Sequence, residues 1–172
     1  MNYFITGASG FIGKCLVGKL LEREGSVIYF LIRAAEQDSL ETLLAYWAAA
    51  PGRVIPIVGD LTQPLLGISD PERKKLQRKI HHFFHLAAIY DLDADAESQL
   101  RVNVEGTRNT VQLAEAIAAK RFHLFSSIAS AGMFEGLFRE DMFDEAEGLD
   151  HPYFRTKHDS EGIVRRECGI PW

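Results

Sequence analysis

Two side chains that could together move a proton lie four residues apart near the end of the sequence, in the stretch YFRTK. This spacing places Tyr153 and Lys157 on one face of a helix. A phenol in water has a pKa of about 10, and a neighbouring ammonium lowers that pKa because it favours the phenolate. The pair therefore predicts general acid–base chemistry at a tuned tyrosine.

A serine hydroxyl that could bind the same substrate oxygen precedes this pair by 26 residues. Ser127 ends the apolar stretch FHLFSS, which is typical of a buried strand. Ser126 and Ser130 are the alternatives for the same role. The three serines thus predict a hydroxyl at the end of a strand, next to the helix that carries Tyr153.

Three glycines at equal spacing follow the apolar start of the chain, in the stretch FITGASGFIG. Gly7, Gly10 and Gly13 lie between a predicted strand and a helix predicted from Phe11. Unpaired N–H groups and the helix dipole make such a junction an anion site, and the absent side chains let a pyrophosphate lie against the backbone. A tight turn that binds nothing is the alternative, because two residues separate the first two glycines where the general dinucleotide pattern has one.

The second predicted strand ends in Arg33, about twenty residues after the last glycine. An acidic residue there would bind the 2′-hydroxyl of an adenosine ribose, whereas a basic one suits a 2′-phosphate. Arg33 therefore favours NADP(H) over NAD(H), with an arginine that only faces solvent as the alternative.

Strand and helix patterns alternate along the sequence. The predicted strands cover 3–5, 26–32, 53–59, 81–88 and 122–127. The predicted helices begin at Phe11 and cover 39–50, 69–79 (with Ser69 in a capping box), 98–119 and 153–168. Apolar strands separated by helices predict a doubly wound parallel Rossmann sheet, with the ligand beyond the carboxyl ends of the strands.

Length, composition and charge exclude several classes of protein. The chain has 172 residues, 47% apolar and 25% charged, and is expected to form one domain over 1–172. The net charge of −5 and the pI of about 5.7 argue against a nucleic-acid partner. No apolar run reaches the ~18 residues of a membrane span, and the start is unlike a signal peptide. Two cysteines are too few for a disulfide framework, so we expect a cytoplasmic protein.

The histidines of the fourth predicted strand are the candidates for a metal site. On a strand, however, His82 points away from His81 and His85, and no cysteine or carboxylate completes a ligand set. We therefore expect no metal. Asn103, inside the long predicted helix, is interpreted as a brace for a neighbouring loop.

The motifs occur in the order found in the extended short-chain dehydrogenase/reductases, and the chain resembles that family over nearly its whole length. The matching stretches are TGASGFIG (6–13), GDL (59–61), HLAA (85–88), NVEGT (103–107), SSIASAG (126–132) and YFRTK (153–157). The resemblance implies that Ser127, Tyr153 and Lys157 form the catalytic triad. The resemblance also favours Ser127 over Ser126 and Ser130, because its distance to Gly132 matches the spacing found in the family.

The resemblance also implies a set of cofactor contacts. These are the glycine turn, the ends of the second, third and fourth strands, and the catalytic pair: Thr6, Gly7, Ser9, Gly10, Phe11, Ile12, Gly13, Arg33, Asp60, Leu61, Ala87, Ala88, Tyr153 and Lys157. Asp60 and Leu61 are expected near the adenine, and Lys157 at the nicotinamide ribose.

Within the family, FLIRA and GDLTQPLLGIS resemble the thioester reductases and fatty acyl-CoA reductases. This branch implies NADPH-dependent reduction of an acyl thioester, on CoA or an acyl-carrier protein, either to an aldehyde or further to an alcohol. The family resemblance implies a homodimer. A sugar-nucleotide epimerase or dehydratase and a hydroxysteroid or ketone reductase are the alternatives, although epimerases usually have an acidic residue at the position of Arg33. A nucleotide-binding module without catalysis is an alternative of another class.

The connection 133–150 runs between Ser127 and Tyr153 and is either an apolar lining for an acyl chain or a surface that packs on a further domain. The alternation of elements calls for a sixth strand after the last helix. We therefore expect the sequence to be the N-terminal part of a longer reductase, truncated before that strand, with little turnover in isolation.

Overall fold

Five strands form a single parallel sheet in the computed structural model, which describes residues 1–172. They are β1 (Asn2–Thr6), β2 (Val27–Ile32), β3 (Val54–Val58), β4 (His82–His85) and β5 (Phe122–Leu124). Their order is β3-β2-β1-β4-β5, and all four pairings are parallel. The order reverses between β1 and β4, which confirms a doubly wound Rossmann sheet.

Six α-helices flank the sheet. They are α1 (Phe11–Leu21), α2 (Leu40–Trp47), α3 (Asp70–Leu76), α4 (Ala96–Gln99), α5 (Gly106–Ala116) and α6 (Pro152–Glu167). A π-helical segment, Leu100–Glu105, joins α4 to α5, and short 3-10 turns occur at Ala34–Ser39, Pro64–Gly67 and Ile128–Ala131. None of these helices has the length and apolar character needed to cross a membrane.

Two hydrophobic cores cover the two faces of the sheet, because successive side chains of a strand point to opposite faces. Phe30 of β2 packs with α1 and α2 on one face, and its ring meets that of Trp47 edge-on at 5.6 Å. On the other face the rings of Phe4, Phe83 and Phe122 stack in a row beneath α3, α5 and α6. The layers of helices hold the strand ends in fixed positions relative to one another.

Strands β4 and β5 are shorter than predicted. The chain leaves the sheet after His85 and after Leu124, so Ala87–Ala88 and Ser126–Ser127 lie just beyond the carboxyl ends. On the outer side of β5, the N–H of Phe122 donates to the carbonyl of Pro171 at 2.8 Å.

Several predicted helix ends differ from the structure. The predicted 98–119 helix begins at Ala96, is π-helical over Leu100–Glu105 and ends at Ala116. The capping box at Ser69 is wrong: Ser69 is the N-cap residue of α3, but its side chain makes no capping hydrogen bond. Glu72 pairs instead with Lys75 at 2.8 Å, one turn further along the exposed face.

Residues 133–150 lie against α6 and include no regular helix or strand. The N–H of Met133 donates to the carbonyl of Glu147 at 2.7 Å, which closes the segment at its base. The Phe143 ring stacks on His158 of α6 at 4.2 Å, and the Arg165 guanidinium lies 4.9 Å from the same ring. The connection is therefore fixed to the helix that carries Tyr153.

Candidate active site

Two of the three motif glycines are required by close contacts of the backbone. Gly7 has φ +75°, and a Cβ there would lie 2.7 Å from the backbone nitrogen of Ala87. A Cβ at Gly13 would overlap the carbonyl oxygen of Gly7. These two glycines let β1, the end of β4 and the first turn of α1 approach one another.

Gly10 differs, because a Cβ there would meet only the Gly7 carbonyl oxygen, at 3.4 Å. It is the N-cap residue of α1, where no side chain caps the helix and no acidic residue lies in the first turn. The first N–H groups of α1 are thus available to an anion, and an absent side chain leaves the approach open. Ser9, Phe11 and Ile12 are exposed around this opening. The turn fits the pyrophosphate of a dinucleotide.

Arg33 follows β2 at the same edge of the sheet and is exposed. Its Nη2 lies 2.6 Å from Oε1 of Glu36, within the turn that follows. The hydrogen bond to Glu36 and the charge of that carboxylate raise the pKa of Arg33, and the charge of Asp60 adds to this effect. The structure thus places Arg33 at the strand ends, where its guanidinium forms an ion pair with Glu36.

Asp60 and Leu61 follow β3 next to Arg33. One carboxylate oxygen of Asp60 accepts both the N–H and the hydroxyl of Thr62 at 2.8 Å. The carbonyl of Leu61 accepts from the Asn109 amide at 2.8 Å. Both residues are held in place by their neighbours, on the side of the sheet edge where an adenine is expected.

Asn103 braces the loop after β4, which confirms its interpretation. Its side chain accepts the N–H of Ile89 at 2.7 Å and donates to the carbonyl of the same residue at 2.9 Å. It is buried in the π-helical segment, a kind of bulge that is frequent at functional sites. Ala87 and Ala88 are thereby fixed beside the glycine turn.

The segment that carries Ser127 is fixed to α6 on both sides of that residue. Lys157 Nζ donates to the carbonyl of Phe125 at 2.8 Å, and Ser126 donates to Glu161 at 2.6 Å. His158 Nδ1 lies 3.0 Å from the carbonyl of Ser130. The Ser127 hydroxyl oxygen accepts the N–H of Ala129, which leaves its own proton for another acceptor. Ser127 is thus held against the helix of Tyr153 and Lys157. The hydroxyl of Ser126, in contrast, already donates its proton to Glu161.

Lys157 is 4% exposed and lies one helical turn after the half-buried Tyr153. Burial lowers the pKa of the Lys157 ammonium to about 8, and the Glu161 carboxylate opposes this shift. Only one of its three N–H donors has a partner in the protein. The other two remain for a hydroxyl or a ligand.

The three candidate metal ligands, His81 just before β4 and His82 and His85 within it, have different neighbours. His81 accepts the N–H of Asn2 at 3.1 Å, and His82 Nδ1 lies 2.9 Å from Nε2 of His123. His85 is buried between Thr6 and Thr107. The structure contains no cluster of side chains with metal-ligating geometry.

Fold and site together define an NAD(P)-binding Rossmann domain of the extended short-chain dehydrogenase/reductase type. The chain belongs to the male sterility protein family of NAD-binding domains, which it matches over residues 5–172.

Among curated relatives, it is 34% identical over 182 residues to a linear gramicidin synthase of Brevibacillus parabrevis, covering 97% of this chain and 4% of the relative. It is 26% identical over 155 residues to a putative fatty acyl-CoA reductase of Drosophila melanogaster, covering 83% of this chain and 28% of that protein. The terminal R domain of the myxalamid PKS-NRPS pathway superposes with a TM-score of 0.83 at 29% identity, covering 99% of this chain and 46% of that one. The chain thus spans less than half the length of each.

Proposed function

We propose that this chain supplies the cofactor site and the acid–base groups of an NADPH-dependent reductase of acyl thioesters. The attachment of the Ser127 segment to α6 carries the proposal, because it brings a free serine hydroxyl to the helix of Tyr153 and Lys157. The relatives of the fatty acyl-CoA reductase and R-domain types support the thioester as substrate.

The glycine turn would hold the pyrophosphate, and Arg33 would bind the 2′-phosphate once it leaves Glu36. The two free N–H donors of Lys157 suit the nicotinamide ribose. When bound, the cofactor supplies the hydride that reduces the thioester carbonyl carbon. NADP(H) is preferred because a guanidinium matches a phosphate in geometry and charge.

Tyr153 and Ser127 donate hydrogen bonds to the carbonyl oxygen, on which negative charge develops. Tyr153 gives its proton to that oxygen, and the product of this step is a hemithioacetal. The carbon–sulfur bond then breaks as the oxygen returns its proton to Tyr153, which yields an aldehyde and a thiolate. A second reduction in the same site would give the alcohol.

A cytoplasmic setting and a homodimer complete the proposal. Cys15 and Cys168 are both free thiols, which suits a reducing compartment. Analytical ultracentrifugation of the purified protein tests the dimer.

The decisive assay measures NADPH oxidation by the native polypeptide that contains this sequence. It compares long-chain acyl-CoA with nucleotide sugars and a ketone as substrates. Turnover only with the thioester is the expected result. Turnover only with a sugar nucleotide or ketone would refute the thioester assignment. Tight NADPH binding without turnover on any substrate would favour a nucleotide-binding module.

A further inference from the structure

A row of buried hydrogen bonds connects the glycine turn to α6, and His85 lies at its centre. His85 Nδ1 is 2.7 Å from the Thr6 hydroxyl, and Nε2 is 3.0 Å from the Thr107 hydroxyl. All three residues are at most 2% exposed. They belong to three separate motifs, TGASGFIG, HLAA and NVEGT, and none of the steps proposed above uses His85.

The direction of each hydrogen bond follows from the groups at its ends. Thr107 donates its single hydroxyl proton to the carbonyl of Asn103 at 2.6 Å, because a carbonyl can only accept. The Thr107 oxygen must therefore accept from His85, and Nε2 carries the hydrogen.

The other ring nitrogen of His85 then has a lone pair. Burial, assisted by the positive charge of Lys157, lowers the pKa of His85 to about 3, so the ring is neutral. Nδ1 accepts the hydroxyl proton of Thr6, and the Thr6 oxygen in turn accepts the N–H of Ala87 at 3.3 Å. Ala87 is the residue whose backbone lies against Gly7.

On the far side the row continues through Asn103 into α6. The Asn103 amide donates to the Thr156 hydroxyl at 3.2 Å, and Thr156 donates to the backbone carbonyl of Tyr153 at 3.2 Å. The connected groups thus extend from the backbone beside Gly7 to the backbone of Tyr153.

We propose that His85, as the neutral Nε2–H tautomer, is a positioning residue that fixes the glycine turn relative to the helix of Tyr153. The inference rests on the proposed function for the roles of these two elements, but the hydrogen-bond row can be tested without it. Each group in the row has its donor and acceptor roles fixed by its partners. The loss of one hydrogen bond therefore leaves the next group without a partner.

The first test is the tautomer of His85 in the wild-type chain. Long-range 15N–1H spectra of histidine-labelled protein distinguish a protonated Nε2 from a protonated Nδ1. We expect the neutral Nε2–H form, unchanged across the range of about pH 5 to 8 in which an ordinary histidine titrates. A protonated Nδ1, or a cation formed within that range, would overturn the proposal.

The second test compares two threonines of α5. Thr107 and Thr110 are both buried, and each donates to the carbonyl four residues earlier at 2.6 Å. Only Thr107 also accepts from His85. Thr107→Val therefore removes the connection, and Thr110→Val is its matched control.

We expect Thr107→Val to shift the backbone amide signals of Ala87 and Tyr153 and to weaken NADPH binding on the order of tenfold. Thr110→Val should change neither. If the two variants changed the amide signals and NADPH binding equally, His85 would only fill space and the proposal would be refuted. Amide shifts in Thr107→Val with no NADPH binding by the wild type would uphold the connection and refute the proposed function instead.

Discussion

The proposed nucleotide side of the strand ends, at the glycine turn, and the proposed catalytic side, at Ser127, Tyr153 and Lys157, are built in different ways. The nucleotide side is made of backbone: Gly7 and Gly13 are in contact with neighbouring main chain, and the open end of α1 needs no side chain to attract an anion. The catalytic side is made of side chains that are held by long-range hydrogen bonds to Phe125 and Ser126.

Exposed apolar side chains lie on both sides, and at the glycine turn Phe11 is 85% exposed. Next to Ser127, Ile128 is 95% exposed, and Met133 and Leu137 of the neighbouring connection are 66% and 76% exposed. Apolar surface of this kind marks a binding region when it is contiguous. Because one side is built from backbone and the other from side chains, substitutions can impair cofactor binding and hydride chemistry separately.

The largest effect is expected for Tyr153→Phe on the catalytic side. Loss of a general acid costs roughly 10²–10⁴ in rate, whereas the ring still fills its place and NADPH affinity stays nearly intact. Stopped-flow hydride transfer and calorimetric cofactor titration measure the two quantities. A variant within threefold of the wild-type rate would end the assignment of Tyr153 as proton donor.

A smaller loss, about 10²–10³ in rate, is expected for Ser127→Ala, because one of two donors to the developing oxyanion remains. Ser126→Ala is the matched control, since the Ser126 hydroxyl donates to Glu161. Its rate should fall less than that of Ser127→Ala, because Lys157 and His158 still hold the segment to α6 when the Ser126 hydrogen bond is lost. The reverse order of the two variants would assign the oxyanion contact to Ser126.

On the nucleotide side, Arg33→Asp should shift preference from NADPH toward NADH by roughly ten- to hundredfold, the worth of a charge-assisted phosphate contact. Glu36→Gln is the opposite variant: it frees Arg33 and should raise the NADPH preference a few fold, as expected for an exposed ion pair. The ratio of the two dissociation constants is the measurement. Ratios unchanged in both variants would remove Arg33 from the cofactor site.

Lys157 is proposed to act on both sides. The smallest expected effect is the pH dependence that follows from loss of its charge. With a pKa of about 8, the ammonium is lost as the pH rises through 8, so NADPH affinity and reduction rate should both fall there. The free energy of unfolding should instead rise with pH between about 8 and 10.5. In that range Lys157 carries a proton in the unfolded chain but not in the folded one. Lys157→Met should abolish both dependences, which pH titrations of binding and of urea unfolding would show. Their persistence in Lys157→Met would assign them to another group.

Local pattern alone predicted the sheet class, the glycine turn and the end of β2 at Ile32, whereas β4 and β5 end three residues before their predicted ends. The constraint on Gly13 is local, because a Cβ there would meet the carbonyl oxygen of Gly7 in the same turn. Gly7 combines the positive φ of that turn with a contact to the backbone of Ala87, which only the folded sheet brings near. The helix ends were less predictable. At Ser69 the expected cap is replaced by the pairing of Glu72 with Lys75, a competition between exposed side chains that spacing cannot decide.

Only the tertiary structure decided which of these residues meet. The sequence contains HLAA and NVEGT but gives no reason for His85 to lie between Thr6 and Thr107, because the strands β1 and β4 that bring them together are about 80 residues apart and paired only in the folded sheet. The same holds for Ser127, whose place against α6 depends on the hydrogen bonds of Lys157 and Glu161 with the two residues that follow β5. Residue types and local spacing set what chemistry is available, whereas burial and long-range hydrogen bonds set which groups are neutral, which are charged and which face one another.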